Sequence, residues 1–295
     1  MSQTRDDLLN QLKLVALEKI SQNLIPLPSL PRAVTEALRV LRLPDYEYDE
    51  VARAIGTDAV TSAQILRTAN SVAFAGFGAA TTLGQAIARV GKRSLEQFLL
   101  EVAARSVFSS KNDRINQSFR ALWHHSVATA LTSREIARAR GGHPELVESA
   151  YLAGLLHDIG KPILAAFLMQ TEERLVGAKV VNWMDANEWL TIINGSHRTI
   201  GLLLAATWNM TIPIREAIAN STEFQHAEPH SISNYVSLAN LITKRAGIYV
   251  GTVNDEQVQS LIETGSALIG LSLKSIDELQ QRVSDEVNDR LKDES

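Results

Sequence analysis

Apolar residues in this chain recur every three or four positions in segment after segment, and nowhere does a sustained run of β-branched residues alternate with polar ones. That spacing gives a helix one buried face and gives a strand none, so the chain is expected to be all-α. Composition agrees, because Ala and Leu, both strong helix formers, make up roughly a quarter of the residues. With 295 residues, 45% of them hydrophobic, there is enough chain for a substantial core in one large domain or two ordinary ones. The same hydrophobic share, with 16 Gly and 8 Pro, excludes disordered and collagen-like chains.

No cysteine is present, which excludes disulfides, Cys-ligated zinc, iron–sulfur clusters and thiol nucleophiles. His and carboxylate chemistry remain. The 29 basic and 33 acidic residues leave a net charge of -4, so no global field draws in nucleic acid or an anionic membrane. Arg5, Asp6 and Asp7 interrupt the N-terminal segment where a secretory signal would need a continuous apolar run. The long uncharged stretch from Thr68 to Ala88 carries too many Asn, Ser, Thr and Gly residues to cross a bilayer. A soluble, cytoplasmic protein is the expectation.

Leu8, Leu9, Leu12, Val15 and Leu17 set out a leading helix over residues 1–20, stopped by Pro26, Pro28 and Pro31. Short helices follow. Thr57 or Asp58 can cap one that contains Ile65, Leu66 and Ala69, Thr81 starts another, and Gly91 ends it. Asn70 and Ser71, near a helix end, suit hydrogen bonds to the backbone of the glycine-containing turn, with a ligand contact as the alternative. Arg67, Arg89, Lys92 and Arg93 read first as a solvated face and second as a surface for a partner or a nucleotide phosphate. The polar segment Ser109 to Arg114 is the best internal boundary. Beyond it the pattern predicts helices over 119–139, 146–158, 163–176, 182–193, 197–208, 214–221 and 233–246. Residues 254–291 add two amphipathic stretches, the last carrying Ile276, Leu279, Val283, Val287 and Leu291. Its acid-rich polar face favours a packed or homodimer-forming tail over a membrane-surface helix.

The chemistry concentrates at Gly154-Leu155-Leu156-His157-Asp158-Ile159-Gly160-Lys161. Gly160 can take a left-handed C-cap conformation there, with Pro162 preventing simple continuation. An imidazole and a carboxylate then sit side by side at a helix end, as a divalent transition metal requires, and His124 or His125 can supply a third donor. The plainer reading has His157 and Asp158 pairing with each other and His125 hydrogen-bonded in the core. His143, His226 and His230 stand beside prolines in loops and read as solvated.

Trp123-His124-His125-Ser126 followed by His157-Asp158-Ile159-Gly160-Lys161 resembles the HD superfamily of metal-dependent phosphohydrolases. Leu27-Pro28-Ser29-Leu30-Pro31, then Leu66-Arg67-Thr68-Ala69-Asn70-Ser71, then Ala86-Ile87 and Gly91, narrow the resemblance to the HDOD domain of bacterial signalling proteins. It implies a two-lobed helical bundle. After the leading helix, a family-specific N-terminal lobe would span 21–112, an HD-like lobe 113–250 and a helical tail 251–295. It also implies that His125, His157 and Asp158 are the surviving metal ligands, with Lys161 and His197 beside them if the protein is active. The paired histidines of active relatives correspond to Ser221 and Thr222, and Asn240 stands at the usual closing aspartate. A neutral amide is a much weaker donor than a carboxylate, so a two-metal site is not expected.

Two functions compete. The leading one is a stand-alone, non-catalytic signalling or regulatory protein that binds a signalling partner or a small ligand such as a nucleotide, with no cofactor. The alternative is a metal-dependent phosphohydrolase acting on a nucleotide or cyclic dinucleotide, with one Zn, Fe, Mn or Mg ion activating water. Nucleic acid and membrane are not expected partners.

Overall fold

Side-chain caps mark where helices begin in the computed structural model, which describes residues 14–15, 18–19, 22, 24–71, 78–110, 113–176 and 186–292. Every regular element among them is a helix. The expected leading helix over 1–20 lies mostly outside the described residues, as does the start of the one expected over 182–193.

Two compact units emerge: Ser29–Ser106, and a second formed by the chain up to Pro28 with Val107 onward. The first contains α1 (Arg32–Leu41), α2 (Tyr48–Ile55), α3 (Ala59–Ala69), α4 (Leu83–Val90) and α5 (Lys92–Val107). Asp58 caps α3, its Oδ1 accepting from the N–H groups of Val60 and Thr61 at 3.0 and 3.1 Å. Thr82, one residue beyond the expected start, forms a capping box with Gln85 at the head of α4. The apolar faces of these helices meet in a core of Val34, Leu41, Val51, Ile55, Ile65, Ile87, Leu95 and Leu99.

Asn70 bonds the backbone as its position implied. Its Oδ1 accepts from Ala80 N–H at 2.7 Å and its Nδ2 donates to Ala80 O at 3.0 Å. Arg89 departs from the solvated-face reading: its Nη1 donates to the carbonyls of Ala69 at 3.1 Å and Gly78 at 2.8 Å. It ties the end of α3 to the return of the chain into α4.

The second unit is built on α6 (Asp113–Ala139), α7 (Pro144–Leu156) and α11 (Ile232–Arg245), which pack on one another. Around them lie α8 (Gly160–Val176), α9 (Ala186–Thr207), α10 (Ile212–Asn220), α12 (Asp255–Ile269) and α13 (Leu273–Lys292). A Cβ on Gly154 would come within 2.8 Å of the Ala130 Cα, so α6 and α7 cross at backbone contact. That closeness brings His125 on α6 and the His157-Asp158 turn after α7 toward each other. His143, expected as a solvated loop residue, caps α7, its Nδ1 accepting from Leu146 N–H at 3.3 Å.

On α13, Ile276, Leu279, Val283 and Val287 are buried within this chain. Arg134 pairs with Glu286 at 3.2 Å and Arg245 with Asp277 at 2.8 Å, fixing the tail to α6 and α11. Pro144–Thr171 is the one stretch among the described residues long and apolar enough to cross a membrane; 83% of its most apolar 18-residue window is buried inside the protein, and the turn at His157 breaks it, as befits core helices.

Two sequence expectations need correction here. The helices expected over 182–193 and 197–208 are one continuous α9, because Gly195 lies on an open face and one glycine, costing about 1 kcal/mol, does not break a well-packed helix. Gly160 does not end a helix in a left-handed conformation; it begins α8, and Pro162 sits in the first turn, where its missing N–H costs nothing. The glycine is needed for another reason: any Cβ there would overlap the His197 carbonyl oxygen on α9.

Gly160→Ala is therefore expected to destabilise the fold by about 1–3 kcal/mol, the usual cost of forced overpacking. Gly195→Ala, with nothing within 4 Å of the new methyl, is expected to be neutral or to stabilise by about 0.5–1 kcal/mol. Urea unfolding of the two variants measures the contrast.

Candidate metal centre

Four helices and one turn deliver the site. His125 comes from the middle of α6, His157 and Asp158 from the turn after α7, Lys161 from the first turn of α8, His197 from α9 and Asn240 from α11. All six are buried, Lys161 being the most exposed at 7%.

Each histidine is aimed by its backbone partner. His125 Nδ1 lies 2.7 Å from Ile248 O, His157 Nδ1 lies 2.7 Å from Gly154 O, and His197 Nδ1 lies 3.1 Å from both Ile193 O and Asn194 O. A carbonyl oxygen only accepts, so Nδ1 carries the proton in every case and Nε2 faces inward. The Nε2 atoms converge on Asp158: that of His197 is 3.2 Å from Oδ1, and those of His157 and His125 are 3.3 and 3.7 Å from Oδ2. The Nε2 atoms of His125 and His157 have no hydrogen-bond partner among the described residues. Burial foremost, and then His157 beside it, push His125 down to about 3, so its Nε2 is a bare lone pair at neutral pH.

A lone pair facing a carboxylate needs positive charge nearby. Lys161 supplies it, with its ammonium nitrogen 2.5 Å from Asp158 Oδ2. Burial opposes ionisation of Asp158, but His157 and Lys161 beside it outweigh burial and hold the carboxyl well below the usual carboxylate range.

The ligand atoms of His125, His157 and Asp158 lie within 4.8 Å of one another, which is compact enough to close around one divalent ion. The orphaned Nε2 atoms, each fixed by an Nδ1–H bond to a carbonyl, are what such a ligand set requires. Among the described residues a second ion finds no such set. Asn240 Nδ2 donates to the Ser221 backbone carbonyl at 3.2 Å, and the side-chain oxygens left over, Asn240 Oδ1 and Ser221 Oγ, are neutral and much weaker ligands than a carboxylate or an imidazole. Thr222 Oγ1 accepts instead from Arg198 Nη2 at 2.7 Å. Any ion bound at Asp158 has to share Oδ2 with the Lys161 ammonium or displace it.

The structure thus brings His125, His157, Asp158, Lys161 and His197 together. His124 makes no part of the cluster, and His226 and His230 are exposed. Sequence reasoning missed Tyr249, whose ring centroid lies 5.5 Å from that of His125, and Lys244, whose ammonium lies 5.0 Å from the same ring centroid. No periodicity marks them, since they enter through long-range packing.

Known proteins share this fold. The family profile described as HDOD domain matches residues 27–224. Among solved structures, a Shewanella amazonensis SB2B protein provisionally named a metal-dependent phosphohydrolase superposes with a TM-score of 0.67 at 19% identity, covering 93% of this chain and 99% of that one. An HDOD domain protein of unknown function from Geobacter sulfurreducens gives 0.62 at 21% identity, with 96% of each chain covered. A Marinobacter aquaeolei VT8 protein, provisionally named a signal transduction protein, gives 0.63 at 18% identity, covering 97% of this chain and 65% of that one. An uncharacterized protein of Treponema pallidum (strain Nichols) is 26% identical over 224 residues, 76% of this chain, which spans only 42% of that relative's length.

Both His125 and Asp158 make stability fall with acid. The unfolded His125 takes up a proton near its ordinary 6.5, which the folded one refuses until about 3, so its contribution is complete above 6.5 and declines as pH falls toward 3. Asp158 is held below its ordinary 3.8, so its contribution is present above that value and is lost at still lower pH. His125→Asn is expected to flatten the loss between 6.5 and 3 relative to the parent chain and to leave the lower limb; urea midpoints against pH read this directly.

Proposed function

The chain belongs to the HDOD family, and from that premise we propose that it is a non-catalytic regulatory protein of bacterial signalling, acting in the cytoplasm by binding a partner protein or a small ligand. The observation that carries this reading is the Lys161 ammonium on Asp158 Oδ2, inside a cluster closed to solvent. A lysine in contact with the only carboxylate of the cluster balances the charge that a metal would balance in a hydrolase. The remaining histidines then act as a polar brace that fixes how α6, α8 and α9 meet.

A specific observation favours a second reading. The orphaned Nε2 atoms of His125 and His157 are suited to a divalent ion, which would supply Lewis acidity and an activated water for hydrolysis of a nucleotide or cyclic dinucleotide. In that case His125, His157 and Asp158 hold the ion, while Lys161 and His197 orient the carboxylate.

Elemental analysis of the purified full chain, together with turnover of a generic phosphodiester, separates the two. We expect metal well below one equivalent and no turnover above background. Stoichiometric metal that disappears in both His157→Ala and Asp158→Ala, with turnover lost alongside it, would make the protein a hydrolase.

A further inference from the structure

Residues 246–254, between α11 and α12, have two fixed ends and a loosely held middle. α11 ends at Arg245, whose guanidinium donates to Gln280 and Gln259 and pairs with Asp277 at 2.8 Å. α12 begins after Asn254, whose Oδ1 accepts from Gln257 N–H at 3.0 Å. Between these anchors the chain has no regular structure, and each residue is partly or fully exposed. Gly247 N–H donates to Lys244 O at 3.0 Å and Ile248 N–H to Thr243 O at 3.1 Å; among the described residues no backbone–backbone bond holds 249–253. Gly247 and Gly251 bracket the middle at φ of 77° and 118°.

This loosely held segment is nevertheless a wall of the buried cluster. Ile248 O accepts from His125 Nδ1–H at 2.7 Å, and the Tyr249 ring stands edge-on to that imidazole with centroids 5.5 Å apart. The Lys161 ammonium lies 5.6 Å from the same tyrosine centroid, and that of Lys244 lies 5.0 Å from it. His125 and Lys161 are buried, whereas Ile248 and Tyr249 are half-buried, so these two residues stand between the cluster and solvent.

We propose that residues 247–251 form a strap that lifts off the cluster without unfolding the rest of the chain, with Tyr249 as the gate to His125. Parting the helices around the cluster would expose packed core, whereas lifting the strap breaks one side-chain hydrogen bond, the ring contacts of Tyr249 and few backbone bonds. The same movement releases His125 Nδ1–H from its carbonyl, so the imidazole gains access to solvent and loses its aim in one event. Closure also requires a left-handed backbone at Gly247, which any other residue would oppose. Such a strap serves the cluster whether Lys161 or a metal balances Asp158, because His125 is buried in both cases.

Diethyl pyrocarbonate, which acylates the bare nitrogen of a neutral imidazole, reads the opening when peptide mass spectrometry follows each histidine of the full chain at neutral pH. We expect His125 to be labelled more slowly than the exposed His226 and His230, at a rate that stays flat across urea concentrations below the unfolding transition. His197, which makes no printed-range contact with the strap among the described residues, is expected to be slower still. Gly247→Ala puts a methyl into open space and so strains only the closed backbone; it is expected to raise the His125 rate about fivefold or more and to leave His197 unchanged. Tyr249→Ala is expected to raise the His125 rate tenfold or more and Tyr249→Phe to leave it within twofold. Labelling of His125 confined to urea concentrations that unfold the chain, in step with His197, overturns the proposal and needs no variant. Unchanged His125 labelling in Gly247→Ala and Tyr249→Ala, both folded by thermal unfolding, overturns it as well.

Discussion

A buried carboxylate is tolerated only if its neighbours replace the water it has lost, and Asp158 sets that demand for this fold. Lys161 answers it from the first turn of α8, and His125, His157 and His197 close the remaining directions. Desolvating two charges costs several kcal/mol each, roughly as much as their attraction returns. The pair therefore contributes less to stability than to fixing an arrangement: it works only when α8 starts where it does and α9 lies against it. Gly160, where a side chain would collide with the His197 carbonyl, is the steric counterpart of the same requirement.

The same cluster explains why a metal-site resemblance and a regulatory role can coexist. Three candidate ligands, two histidines and one aspartate, stand together, and both histidines keep their Nδ1–H anchors, so the geometry of half a metal centre persists. In the other half stand neutral side chains, with Asn240 donating to the Ser221 backbone carbonyl and the Thr222 hydroxyl accepting from the Arg198 guanidinium. An amide in place of a carboxylate removes one negative charge, while Lys161 and Lys244 both stand over the Tyr249 ring beside the cluster.

Much of the architecture could be read from the chain before any coordinates. Helical periodicity gave the all-α class, the Thr57-Asp58 pair bracketed the start of α3, where Asp58 is the cap, and the His157-Asp158 doublet with His125 gave the heart of the site. What escaped depends on contacts between distant segments. Gly160 reads locally as a helix terminator because its reason, the His197 carbonyl, lies on another helix. Arg89 reads as solvated because the carbonyls it binds belong to a turn whose course sequence does not reveal. The expected gap between 193 and 197 closes into one helix, α9, because packing that carries a helix through a glycine is not visible in sequence.

A double-mutant cycle on Lys161→Met and Asp158→Asn, measured by urea unfolding in EDTA, tests the central claim that the lysine is the counter-charge of the carboxylate. If it is, each single change is expected to cost about 3–5 kcal/mol and the pair to be coupled by about 2 kcal/mol or more, the double variant recovering much of the loss. Additive single effects, with coupling below about 0.5 kcal/mol, would contradict it and return the balancing of Asp158 to a bound metal.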